Sequence, residues 1–92
     1  RTALPADGAD WTENFPRPNN YDRYSCTVTP PTVGSGRNQT STGSCSYTTS
    51  GTDRIIFNPD RDVPAGTVVT VTWVFVITPG ADITITRTFI LT

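Results

Sequence analysis

Apolar and polar residues alternate along much of the chain, over the longest stretches near its C-terminus. In 67–78, TVVTVTWVFVIT, the residues Val69, Val71, Trp73, Phe75 and Ile77 fall on one face. In 82–92, DITITRTFILT, Ile83, Ile85, Phe89 and Leu91 share a face with Arg87 among them. A period of two marks a strand with one buried side. Opposed residues of a hairpin point the same way, so a three-residue connection, Pro79-Gly80-Ala81, pairs Ile77 with Ile83, Phe75 with Ile85 and Val71 with Phe89. A four-residue connection would set each apolar residue against a threonine. The odd-length loop is therefore expected, and it places Arg87 over Trp73 in a cation–π contact of about 0.5–2 kcal/mol.

Residues 21–29, YDRYSCTVT, alternate in the same way, with Tyr24, Cys26 and Val28 on one face, and Pro30-Pro31 ends the strand. Residues 30–43 read as a long loop, followed by strands at 44–50, with Cys45 and Tyr47 on one face, and at 54–57, RIIF. Turns follow at Asn58-Pro59-Asp60 and Pro64-Ala65-Gly66. If 21–29 and 44–50 pair antiparallel with Cys26 opposite Cys45, Tyr24 lands opposite Tyr47. That coincidence favours neighbouring strands with a cross-strand bridge; a bridge between two sheets is the alternative.

No segment repeats at 3.6 residues. Short strands of Thr and Val, joined by Gly- and Pro-rich turns, indicate an all-β chain, a small immunoglobulin-like β-sandwich in first place and a small open barrel in second. The sandwich is expected over 21–92. Residues 1–20 hold Pro5, Pro16 and Pro18 without periodicity and read as an extended arm. Trp11 and Phe15 in that arm need cover. Either the arm folds back on its own sandwich as a first strand, or it lies on a neighbouring molecule.

Composition narrows the functions. In 92 residues there are 7 Arg, 8 acidic residues and a net charge of −1, with no Lys, His or Met. Scattered arginines make no basic face for nucleic acid. Threonine interrupts every apolar run before the ~20 residues that cross a bilayer. The start, Arg1-Thr2-Ala3, suggests a processed segment. Two cysteines in a Thr/Ser-rich chain favour a Cys26–Cys45 disulfide, hence an oxidising, extracellular setting, over two buried thiols. Of 32 hydrophobic residues, 19 lie in 54–92, so the C-terminal part specifies most of the core.

Without His, Lys or an activated thiolate, the usual general bases and nucleophiles are missing. Asp7, Asp10 and Glu13 fall in the arm and Asp53, Asp60 and Asp62 at turns, where aspartate bonds its own backbone. No enzymatic activity and no cofactor are expected. Asn58, Asp60 and Asp62, at alternate positions, are a weak calcium candidate, because Val69 stands where an EF-hand loop would need its bidentate Glu. Asn38-Gln39-Thr40 is an N-glycosylation sequon in an exposed loop. Trp11 and Tyr21 are candidate platforms for a glycan. The loop 30–43, with Val33 and Arg37 as its only anchors, is a third and lesser candidate, for presentation to an enzyme as an inhibitor.

The Thr-rich alternating strands, and Val63-Pro64-Ala65-Gly66-Thr67-Val68 leading into a long strand, resemble the immunoglobulin-like modules of Gram-positive surface and pilus proteins. The resemblance covers about the last third of the chain. Such modules are locked by Lys–Asn or Lys–Asp isopeptide bonds, which a chain without Lys cannot form; the cysteine pair would then do the stapling. The expected function is a non-catalytic structural or adhesive module of a cell or particle surface. Its partners would be other copies of itself or flanking domains, and Trp11 and Phe15 are the expected assembly contacts. Surface glycans are the alternative partner.

Overall fold

The computed structural model describes residues 10–92 and the backbone of 2–4. Its strands are β1 (Thr2–Leu4), β2 (Trp11–Asn14), β3 (Tyr21–Thr29), β4 (Thr32–Val33), β5 (Thr40–Ser41), β6 (Gly43–Thr48), β7 (Arg54–Pro59), β8 (Val68–Ile77) and β9 (Ile83–Leu91). They form a four-stranded sheet ordered β1-β9-β8-β3, a three-stranded sheet ordered β2-β7-β6 and the small ribbon β4-β5. The two larger sheets face each other around one core, so the chain is an all-β sandwich with one disulfide. The expected loop 30–43 is not structureless, since it holds that ribbon and a 3-10 turn at Gly36–Asn38.

Alternation explains the burial. Along β8, Val69, Val71, Trp73 and Phe75 are fully buried, while Thr70, Thr72 and Val74 between them are half-buried on the outer face. Ile55 and Phe57 supply the facing layer from β7, and Phe89 and Leu91 of β9 extend the layer of β8 within its own sheet. Aromatic contacts run through the core in two groups. Phe15 stacks on Phe75 at 4.8 Å, with Tyr21, Tyr24 and Tyr47 around them. At the other end Phe57 stacks on Phe89 at 5.1 Å, and Trp11 meets Phe89 edge-on at 4.8 Å. Each such pair adds about 0.5–1.5 kcal/mol beyond the area it buries.

Two expectations are corrected here, and one left open is decided. Cys26 and Cys45 are bonded, but β3 pairs with β8 and β6 with β7, so the bridge joins the two sheets rather than neighbouring strands. Tyr24 and Tyr47 still meet, with ring centroids 6.0 Å apart. Two inward faces stacked across a sandwich align side chains just as two paired strands do, and the spacing of the cysteines does not distinguish them.

The β8–β9 register is displaced by two residues. Phe75 pairs with Ile83, Trp73 with Ile85, Val71 with Arg87 and Val69 with Phe89. Displacement by two keeps every side chain on its expected face, so alternation alone could not detect it. Residues 76–82 make the reversal: Val76 and Ile77 pair with Arg23 and Tyr21 of β3 on the other edge of β8 and with no residue of β9. Arg87 thus lies beside the small Val71, not over Trp73.

Of the two alternatives for the arm, residues 11–15 take the first, folded back on their own sandwich as a strand. β2 pairs antiparallel with β7, Trp11 opposite Phe57 and Glu13 opposite Ile55, and the Phe15 N–H continues the ladder to the Asp53 carbonyl at 3.0 Å. A boundary between residues 20 and 21 therefore does not separate this strand from the domain. The remainder of the expected arm before residue 10 lies outside the described residues, apart from β1, which pairs parallel with Phe89–Leu91 of β9.

Gly43 begins β6 at φ 146, in the region that favours glycine. A Cβ there would stand 2.6 Å from the Asn58 carbonyl oxygen and 2.8 Å from Cε1 of Phe57. Gly43→Ala is expected to lower the urea midpoint by the equivalent of about 1–3 kcal/mol, the scale of a strained backbone position. A midpoint within error of the parent would show that β6 does not approach β7 this closely.

Candidate interaction surfaces: the two lateral seams

A sandwich has two open sides where the edge strands of its sheets face each other. Each side of this one is closed by a specific link. On one side β3 faces β6, and the Cys26–Cys45 bond joins them. On the other side β9 faces β2, and Arg87 reaches across to Glu13. The guanidinium Nε donates to Oε1 at 3.1 Å and NH2 donates to Oε2 at 2.7 Å, a bidentate pair. Two further bonds lie in the interior: Trp73 Nε1 donates across the sheets to the Ser46 carbonyl at 3.0 Å, and within the three-stranded sheet the Tyr47 hydroxyl donates to the Phe15 carbonyl at 3.0 Å.

Glu13 and Arg87 hold inward positions on their strands, between Trp11 and Phe15 and between Ile85 and Phe89. Both remain more than a third exposed at the seam. The hydrogen bond from Arg87 holds the Glu13 carboxyl below its ordinary range, against desolvation that pushes it up, with charge attraction as a smaller help. The same bond raises Arg87. A carboxyl lowered by folding contributes stability above its unfolded pKa, and loses that contribution as pH falls through the folded value. Solvent screening keeps the pair to no more than about 1 kcal/mol. Glu13→Gln should therefore lower Tm by a few degrees near pH 7, and the gap from the parent should narrow as pH falls below the ordinary carboxylate range. A gap that stays constant with pH would remove the ion pair from the account.

Sequence reasoning did not connect these two residues. A signal was present, because residues 11, 13 and 15 alternate with the aromatics and put a carboxylate on an inward face, where only a cation from the opposite sheet could meet it. Thr42 was also missed. It is fully buried, its hydroxyl donates to the Pro30 carbonyl at 2.6 Å, and its backbone bonds Pro31 and Asp60. It ties the base of the β4–β5 ribbon to the sandwich.

The other expected site residues are scattered. Trp11 lies against Phe89 and, at 6.1 Å, against Trp73. Tyr21 packs on Tyr47 and Phe75, and Arg17 covers it at 5.2 Å. Both are half-buried against the core, and so is Phe15. Asn58, Asp60 and Asp62 line an open polar groove of about 470 Å³ with Ser41, Ser44 and Arg61. There Asp60 Oδ1 accepts the Asp62 N–H at 2.9 Å, the turn bond expected of such a residue. Among the described residues no three His, Cys, Asp or Glu side chains gather to hold a metal ion. Asn38 is exposed at the end of the 3-10 turn, and Arg37 beside it is exposed, while Val33 packs partly on the core. No helix among the described residues is long and apolar enough to cross a membrane.

Comparison with protein-family models, with curated proteins and with solved structures finds no match to this chain.

Proposed function

We propose that this chain is a non-catalytic structural or adhesive module of an extracellular or particle surface, working through contact with other copies of itself or with flanking domains. The observation that supports this reading best is the linkage of both lateral seams, one by a disulfide and one by an ion pair, around an interior filled with aromatic side chains. Such a body resists shear between its sheets, and a disulfide is compatible with an extracellular location. Taking β1, β2, β3, β6, β7, β8 and β9 as strands A to G puts B, E and D in one sheet and A, G, F and C in the other. An immunoglobulin constant-type sandwich has the same order with strand A on the other sheet, which supports the immunoglobulin-like reading and the likeness to Gram-positive surface modules. The test is the native mass in solution, by light scattering and negative-stain microscopy, with and without reductant. Ordered multimers are the expected result, and a 10.0 kDa monomer at every concentration would count against assembly.

A glycan-binding reading has one observation in its favour, the polar groove lined by Ser44, Asn58, Asp60 and Asp62. Glycan-array binding that is lost in Asp62→Ala would support it, and no binding at high concentration would end it.

A further inference from the structure

Residues 34–39, between β4 and β5, are all exposed. They are held by bonds of their own rather than by the core. The Asn38 N–H donates to the Ser35 carbonyl at 3.0 Å, and the Gln39 side-chain amide donates to the Thr32 hydroxyl at 2.9 Å. The space around them is open, since a Cβ added at Gly36 would meet no atom within 4 Å. Of the five asparagines, Asn14, Asn19, Asn20, Asn38 and Asn58, Asn38 alone is followed by a hydroxyl two residues on, in Asn38-Gln39-Thr40, with no proline between. The Thr40 hydroxyl has a 3.5 Å contact with the Ser41 carbonyl, at the outer limit of a hydrogen bond. Among the described residues the Asn38 carboxamide bonds no protein group, so attaching a substituent to it breaks nothing in the fold.

We propose that Asn38 is the acceptor for an N-linked oligosaccharide. This rests on the reading of the chain as an extracellular module, because the sugar is added to secreted chains. The donor is an oligosaccharide carried on a polyprenyl diphosphate. The Asn38 amide nitrogen attacks the anomeric carbon of the first sugar. A C–N bond forms, the C–O bond to the diphosphate breaks, the diphosphate leaves with the electron pair, and the amide gives up one proton. The Thr40 hydroxyl is the group that marks Asn38 for the transferring enzyme. Position suits the load: a hydrated chain of sugars cannot be buried without losing its water, and at residue 38 no buried side chain stands beside it. Asn58, by contrast, is half-buried in the polar groove. A bulky polar group at Asn38 also keeps the tip of the β4–β5 ribbon out of contacts between copies, which confines assembly to the two larger sheets.

The test is secretion of the 92-residue chain from a eukaryotic cell behind a cleaved leader, followed by mass spectrometry of the intact protein and its peptides. The expected result is a mixture of masses above 10.0 kDa. An amidase that cuts sugar from asparagine should collapse it to one species, with Asp in place of Asn at position 38 and at no other. Asn38→Gln and Thr40→Ala should both emerge at the mass of the bare chain, while Thr40→Ser, which keeps a hydroxyl, should still carry sugar. Secreted protein with the Cys26–Cys45 bond intact and a bare Asn38 would overturn this inference and leave the extracellular reading standing. Sugar that persists in Asn38→Gln would do the same. A chain that stays inside the cell, or emerges with free thiols and no sugar, would overturn both.

Discussion

Trp73→Ala should lose about 3–5 kcal/mol of stability, the range for truncating a large buried aromatic. Trp73 is the largest fully buried side chain and sits mid-sandwich on β8. It pairs with Cys26 of β3 and Ile85 of β9 in its own sheet, touches Trp11 from β2, and donates its indole N–H to the Ser46 carbonyl on β6. Alanine leaves a void bordered by strands that are fixed to one another by ladders and the disulfide, so the walls can collapse only partly. Folded domains of this size hold about 5–14 kcal/mol at 0.05–0.15 kcal/mol per residue, and the variant should lie close to unfolding at 25 °C. Trp73→Phe keeps most of the apolar volume and removes the N–H, so it should cost about 1–3 kcal/mol. Urea titration of both variants checks the order. A Trp73→Ala loss below about 1 kcal/mol would mean that the two sheets do not meet at this residue.

The strand pattern was readable because a half-buried strand needs little beyond alternation. Residues 21–29, 67–78 and 82–92 carry it over most of their length, and β3, β8 and β9 form within them. What alternation leaves open is any displacement by an even number, and any choice between the strand beside and the strand across. The two-residue shift of the β8–β9 hairpin and the inter-sheet placement of the Cys26–Cys45 bridge are of those two kinds. The bridge turns on competition between strands: β7, not β3, takes the ladder of β6. Local sequence carries no record of such competition.

The seams were legible in part. The cysteine pairing followed from there being only two, whereas the Glu13–Arg87 link required knowing that residues 11–15 belong to the sandwich. Three prolines made the first 20 residues read as an arm, yet Trp11, Glu13 and Phe15 alternate over the short piece between Pro5 and Pro16. A four-residue strand is too brief for alternation to outweigh its proline-rich surroundings. Its identity is set by β7, whose Ile55 and Phe57 need a neighbour with apolar side chains on the same face.

Cys26→Ser with Cys45→Ser should lower stability by about 3 kcal/mol, because the bond closes a loop across a sequence separation of 19 and restricts the unfolded chain accordingly. The location of the bond adds a second expectation. β3 and β6 share no ladder, so without the bond that side of the sandwich is held by packing among Tyr21, Tyr24, Tyr47 and Val28, by the bonds of Thr42 to Pro30 and Pro31, and by the Trp73–Ser46 hydrogen bond across the interior. The opposite side keeps its Arg87–Glu13 link. Loss should therefore be uneven: amides of β6 and of the ribbon β4–β5, which hangs from it through Thr42, should exchange faster relative to those of β8 and β9. Thermal melts of oxidised, reduced and doubly substituted protein give the total, and hydrogen exchange gives its distribution. Protection lost in equal proportion across both sheets would show that the bond acts only through the unfolded chain and not as the closure of one seam.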